Sequence, residues 1–134
     1  MQNPEITENL KSHFLRLFRI ALCDENFSEL EMKMLYEFAS KRNIPRTELD
    51  KILLNPHNSN DFIPTSTLEK VEYLYDLTQM IWIDGEVSAD ERITLEKYIK
   101  LFGFEEDNAG GIATYMIDSV QEGKPFSSIK NEII

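Results

Sequence analysis

DGEVSADE, at residues 84–91, is the stretch that decides the fold of this 134-residue chain. Asp84 and Gly85 form a pair typical of tight turns. Ser88 and Glu91 have the spacing of a capping box, in which each side chain satisfies the other residue's backbone N–H at the start of a helix. The stretch therefore predicts a helix that ends before Asp84 and a second helix that begins after Ser88.

A second copy of this pattern lies sixty residues upstream, where DENFSELEMKMLYEFA at residues 24–39 aligns with DGEVSADERITLEKYI at residues 84–99. In each copy, apolar positions at helical spacing precede and follow the acidic turn. Two copies are too few for a solenoid, and a pseudo-twofold pair that shares one core fits them better. The aligned pairs include Asp24 with Asp84, Ser28 with Ser88, Glu31 with Glu91 and Leu35 with Leu95.

Apolar side chains recur every three or four residues along most of the chain, which indicates helices, and no segment alternates for long enough to predict a strand. Prolines and small polar residues interrupt the pattern at residues 55–66, which predicts a hinge loop between repeats at 8–54 and 67–123. A helix is predicted at residues 108–122, although the pair Gly110 and Gly111 weakens its first turn. We expect an all-α fold of about seven helices, with two pseudo-symmetric halves sharing one core in a single domain of residues 1–134.

The charge of the chain limits its partners. The formal net charge is −10, which disfavours nucleic acid and anionic membrane surfaces and suits cations or basic protein surfaces, while solubility alone is the alternative explanation. The chain has no apolar run long enough to cross a membrane, its first residues lack the pattern of a signal peptide, and its single cysteine, Cys23, excludes an intrachain disulfide. We therefore expect a cytoplasmic protein.

Acidic residues concentrate in the two turns. Residues 24–31 and 84–91 contain eight of the 24 Asp and Glu residues and no Lys or Arg, where a uniform scatter would place about three acids. The capping boxes account for Glu31 and Glu91, but repulsion among the other carboxylates needs to be offset by a divalent cation, a basic partner or water. Neither window is an EF-hand, because the glycine of the second window is at position two and its last glutamate at position eight. A site for Ca²⁺ or Mg²⁺ would have to be assembled from both halves.

Residues 81–104, IWIDGEVSADERITLEKYIKLFGF, resemble the signature segment of the TerB-like (tellurite resistance protein B) family. The shared features are a long helix ending in an Asp-Gly turn, an apolar residue, a small polar cap, a glutamate and a helix that closes on a glycine. The first copy has Glu25 where glycine is usual.

The resemblance extends over residues 8–123 through the order of the helices. It implies an all-helical fold in two similar halves, a cytoplasmic stress-response role or a role in membrane-associated complexes, and no established catalytic activity. It also implies a divalent cation held by Asp24, Glu31, Asp84 and Glu91.

Residues suited to catalysis are sparse. His13 and His57 are 44 positions apart and form no metal-binding pair, so we expect both at the surface or at its boundary. Cys23 has no neighbouring base, and Gly110 and Gly111 follow no predicted strand and lack the spacing of a phosphate-binding loop. We expect a protein without enzymatic activity that binds a divalent cation or, alternatively, docks a basic protein partner without a metal.

Overall fold

The computed structural model describes residues 8–21, 29–54, 63–83 and 85–133. These residues form seven α-helices and no β-strand, which confirms the all-α prediction. The chain divides into two compact units, Met1–Phe62 and Ile63–Ile134, and the division falls within the predicted hinge loop. The helices are α1 (Glu8–Ala21), α2 (Glu29–Lys41), α3 (Arg46–Leu54), α4 (Thr67–Trp82), α5 (Ala89–Leu101), α6 (Glu106–Gln121) and α7 (Phe126–Ile133).

In the first unit, α3 packs against both α1 and α2, and Leu49 of α3 is completely buried. The six consecutive residues of α1 from Ser12 to Leu17 are all buried. Since successive residues point about 100° apart around a helix, this part of α1 is covered on every side. His13 is therefore buried, and the prediction that it lies at the surface or its boundary is wrong.

In the second unit, α6 packs against α4 and α5, and α4 also packs against α5 and α7. Two hydrogen bonds from α4 reach other parts of this unit. Trp82 Nε1 donates to the carbonyl of Ile117 at 2.8 Å, and the Tyr75 hydroxyl donates to the carbonyl of Lys124 at 2.9 Å. Because Trp82 is the only tryptophan of the chain, its fluorescence is a specific probe of this unit.

The helices α2 and α5, which begin sixty residues apart, have the same pattern of burial. All 13 positions of α2 have the same exposure, whether buried, half-buried or exposed, as their counterparts in α5. A buried glutamate at the third position and the same inward positions therefore recur in both helices. The buried pairs are Glu31 and Glu91, Leu35 and Leu95, Phe38 and Tyr98, and Ala39 and Ile99.

The ends of α2 and α5 are also alike. Asn43 and Gly103 have positive φ angles of 58° and 95°, the left-handed conformation that commonly follows the end of a helix. The next backbone N–H reaches back to the helix in both units, from Ile44 to the carbonyl of Ala39 at 2.9 Å and from Phe104 to that of Ile99 at 3.3 Å. The same hydrogen-bonded stop thus leads into α3 in the first unit and into α6 in the second.

Candidate binding surfaces

The acidic turn of the second unit is built around a capping box at the start of α5. The Ser88 side chain accepts a hydrogen bond from the Glu91 backbone N–H, and Glu91 Oε1 accepts one from the Ser88 backbone N–H, both at 3.0 Å. Glu91 is only 2% exposed. One oxygen of this predicted metal ligand is therefore engaged in forming the helix start.

Gly85 precedes this capping box and is exposed. Gly85 has a φ of 81°, which favours glycine, and its N–H donates to the carbonyl of Trp82 at 2.9 Å. Glu86 and Asp90 are exposed. The turn therefore combines a buried capping glutamate with exposed carboxylates on either side of Ser88.

The predicted cation ligands are only partly within the described residues. Glu31 is 1% exposed at the start of α2, the position equivalent to Glu91. Asp24 and Asp84 lie outside the described residues, as does Ser28, the predicted capping partner of Glu31. Within the described ranges, no three His, Cys, Asp or Glu side chains are grouped so that they could hold a metal ion. The predicted Ca²⁺ or Mg²⁺ site, which needs both aspartates, stays a prediction.

The negative charge of the chain belongs mainly to the second unit. Residues 63–134 contain 14 Asp and Glu against 6 Lys and Arg, a net charge of −8, whereas residues 1–62 contain 10 against 8, a net charge of −2. A field of this size attracts cationic ligands and repels anionic ones. Cationic groups are therefore attracted more strongly to the second unit than to the first.

An open groove of about 420 Å³ lies in this acidic unit. Ile112 provides apolar surface in the groove, next to Gly111, which has no side chain. The groove is also lined by acidic side chains from both α6 and α7. Tyr115 donates a hydrogen bond from its hydroxyl to Glu132 Oε2, which joins the two helices beside the groove. The lining residues are Asp107, Asn108, Gly111, Ile112, Tyr115 and Glu132.

A lysine of the same unit lies against two of these residues. Lys124 Nζ is 5.7 Å from the ring centroid of Tyr115 and 3.9 Å from Glu132 Oε1. These distances are typical of a cation–π contact and of an ion pair. The pair of Tyr115 and Glu132 therefore already accommodates an ammonium group.

The first unit has a groove of a different character, with a volume of about 490 Å³. Its lining carries both signs of charge, from Glu29, Lys33, Glu37 and Arg46. The Arg46 guanidinium lies 4.0 Å from the ring centroid of Tyr36, and interaction with Tyr36 is the main reason why the pKa of Arg46 is raised. A groove of mixed charge favours no single class of charged partner.

The groove of the second unit was not predicted from the sequence. Tyr115 and Glu132 are 17 positions apart and meet only because the chain turns between α6 and α7. The pair Gly110 and Gly111 was the one local signal, since a residue without a side chain leaves space on the surface of a helix. That signal does not identify the helix that completes the groove.

No helix of the described ranges is both long and apolar enough to cross a membrane. Comparisons of the chain with protein-family models, with curated proteins and with solved structures found no match.

Proposed function

We propose that this chain is a non-enzymatic, TerB-like binding module whose second unit captures a basic segment of a partner protein. The observation that carries the proposal is the net charge of −8 of residues 63–134, a unit that also contains a groove lined by carboxylates, an aromatic ring and apolar surface. Basic protein segments combine positive charge with long aliphatic stems, so they complement such a surface. A cytoplasmic role in stress response, as the TerB-like resemblance implies, is part of the same proposal.

Binding of a lysine-rich peptide to the full chain tests this function. The probe is a fluorescein-labelled peptide of alternating lysine and serine, followed by fluorescence anisotropy in the presence of a chelator, and the control is a peptide of alternating glutamate and serine. We expect saturable binding of the lysine peptide alone, weakening as salt screens the charges. Absence of binding at low salt, or equal binding of both peptides, would overturn the proposal.

A second proposal, a divalent-cation site formed by Asp24, Glu31, Asp84 and Glu91, is favoured by one specific observation. A buried glutamate recurs at the same place in two helices with the same burial pattern, and each follows a turn rich in acids. Carboxylate oxygens are the ligands that Ca²⁺ and Mg²⁺ prefer. The capping box engages Oε1 of Glu91 through the Ser88 backbone N–H.

Thermal unfolding of the chelator-treated protein tests the second proposal, with Ca²⁺, Mg²⁺, Mn²⁺ and Zn²⁺ added in turn. An ion at about a hundred times its Kd stabilises the folded state by about 2.7 kcal/mol. Asp84→Asn should abolish this stabilisation, whereas Asp118→Asn, which removes the same charge from an exposed position of α6, should retain it. A flat response of the wild-type protein to all four ions would exclude the cation site and leave the basic-partner proposal standing.

A further inference from the structure

We propose that the groove lined by α6 and α7 receives a lysine side chain of the basic segment, with Lys124 as a competing ammonium group from the chain itself. This inference rests on the proposed function, in which the second unit as a whole binds the basic segment. Here that binding is assigned to one groove of the unit. It goes further in naming the side chain that is recognised and a residue that limits its binding.

The apolar part of the groove suits the stem of a lysine. Ile112 is half-buried and presents apolar surface next to Gly111, which has no side chain. A Cβ placed on Gly111 would meet no atom within 4 Å, so the space above this residue is open. Four methylene groups can lie along this surface while the charged end of the side chain stays near water.

The polar part of the groove suits the ammonium group. The exposed side chain of Asp107 makes no hydrogen bond or ion pair with the described residues, so its carboxylate is available to a ligand. Tyr115 contributes an aromatic ring, and the face of such a ring attracts cations. A carboxylate and an aromatic ring in one groove select a cation over a neutral or anionic side chain.

Lys124 provides a precedent for this recognition within the molecule. Its ammonium group lies against Tyr115 and Glu132, two residues that also line the groove. A lysine from outside would share these two partners and would gain Asp107 as a third. Lys124 should therefore weaken the binding of an incoming lysine, and its removal should strengthen that binding.

The test uses the full chain and the labelled lysine–serine peptide, with the same peptide acetylated on every lysine as a control. Acetylation removes the positive charge and keeps the stem. Asp107→Asn and Tyr115→Leu should each weaken binding by about two- to five-fold, the range of one exposed cation–π contact or ion pair. Asp118→Asn removes an equal charge from α6 outside the groove and should change the affinity by less than about two-fold.

Two further variants distinguish peptide binding in the groove from attraction by the net charge of the second unit. Gly111→Leu fills the open space with a residue of higher helix propensity, so it should block binding while the unit stays folded. Lys124→Met keeps most of the stem and removes the charge, and it should strengthen binding more than Lys130→Met, the matched change at an exposed position of α7.

The outcomes distinguish the groove from the function on which it rests. If the wild-type protein binds neither peptide, or binds the acetylated one as tightly as the charged one, both the groove and the proposed function are wrong. A second outcome is that the charged peptide binds while the groove variants have the same affinity as Asp118→Asn, or while Lys124→Met has the same affinity as Lys130→Met. In either case the proposed function stands and the groove is not the binding site. Loss in the groove variants, with the gain in Lys124→Met, supports both.

Discussion

Ser88 and Glu91 are joined by two reciprocal hydrogen bonds, each 3.0 Å long, at the start of α5. This relationship gives the acidic turn a structural role that does not depend on any ligand. Glu91 is nevertheless a buried carboxylate. Burial of a carboxylate costs free energy unless hydrogen bonds compensate for the lost water, so the hydrogen bonds of the capping box matter for stability.

Ser88→Ala should destabilise the second unit by about 1 kcal/mol, because it removes one of the two capping bonds. Glu91→Gln keeps an acceptor for the Ser88 N–H and should cost less than Glu91→Ala, which also leaves space in a buried site. Urea unfolding followed by Trp82 fluorescence measures all three variants. Ser127→Ala, at an exposed position of α7, is the control, and a loss in Ser88→Ala no greater than in this control would contradict the structural role.

Gly111→Ala should stabilise the second unit by up to about 1 kcal/mol, because the residue lies inside α6 with open space at its Cβ position. Gly110→Ala should gain less, since its Cβ would lie 3.3 Å from Glu96 Oε1, which would have to move. The free energy of unfolding in urea gives both differences. A destabilised Gly111→Ala variant would mean that the space above this position is occupied.

Tyr75 should make the stability of the second unit fall in alkaline solution. Burial, with a smaller contribution from the charge of Asp76, raises the pKa of Tyr75 above its ordinary value of 10.0. The folded state therefore favours the protonated phenol, so its contribution to stability is complete below pH 10.0 and is lost as the pH rises through the folded-state pKa.

Tyr75→Phe removes both this titration and the hydrogen bond to the Lys124 carbonyl. We expect it to cost about 1 kcal/mol at neutral pH and to reduce the decline of stability above pH 10.0, as measured by urea unfolding across the pH range. Parallel pH profiles of the wild-type protein and the variant would contradict this assignment.

Tyr36 and Asp50 should be energetically coupled in the first unit. The Tyr36 hydroxyl donates to Asp50 Oδ1 at 2.8 Å and so links α2 to α3. Tyr36→Phe keeps the ring beneath Arg46 and loses this bond, at an expected cost of about 1 kcal/mol. In a double-mutant cycle followed by circular dichroism, Asp50→Ala should cost less in the Tyr36→Phe background than alone, and additive losses would show that the two side chains do not interact.

The helix starts and stops were the most predictable features. Ser88 caps α5 as the capping pattern predicts, and α5 ends at Leu101, two residues before Gly103, the closing glycine of the segment at residues 81–104. These signals are local, because they depend on backbone hydrogen bonds within a few residues. By contrast, α6 begins at Glu106, two residues before the predicted start, and contains both Gly110 and Gly111. Its packing against α4 and α5 stabilises it despite two residues of low helix propensity.

Features that depend on packing were beyond the sequence pattern. His13 lies beside the apolar stripe of α1, and no local rule shows that residues 12–17 of this helix are covered on every side. Likewise, the hydrogen bond between Tyr115 and Glu132 depends on how α6 and α7 pack after the turn that ends at Pro125. The sequence predicted an acidic surface suited to a basic partner, but the groove within it emerged only from the fold.

The most direct test of the central claim is a map of backbone amide chemical shifts in the ¹⁵N-labelled, chelator-treated protein as the lysine–serine peptide is added. We expect changes concentrated along the part of α6 from Asp107 to Tyr115 and around Glu132 of α7. Changes confined to the first unit, or an unchanged spectrum at a peptide concentration that saturates the anisotropy signal, would contradict it.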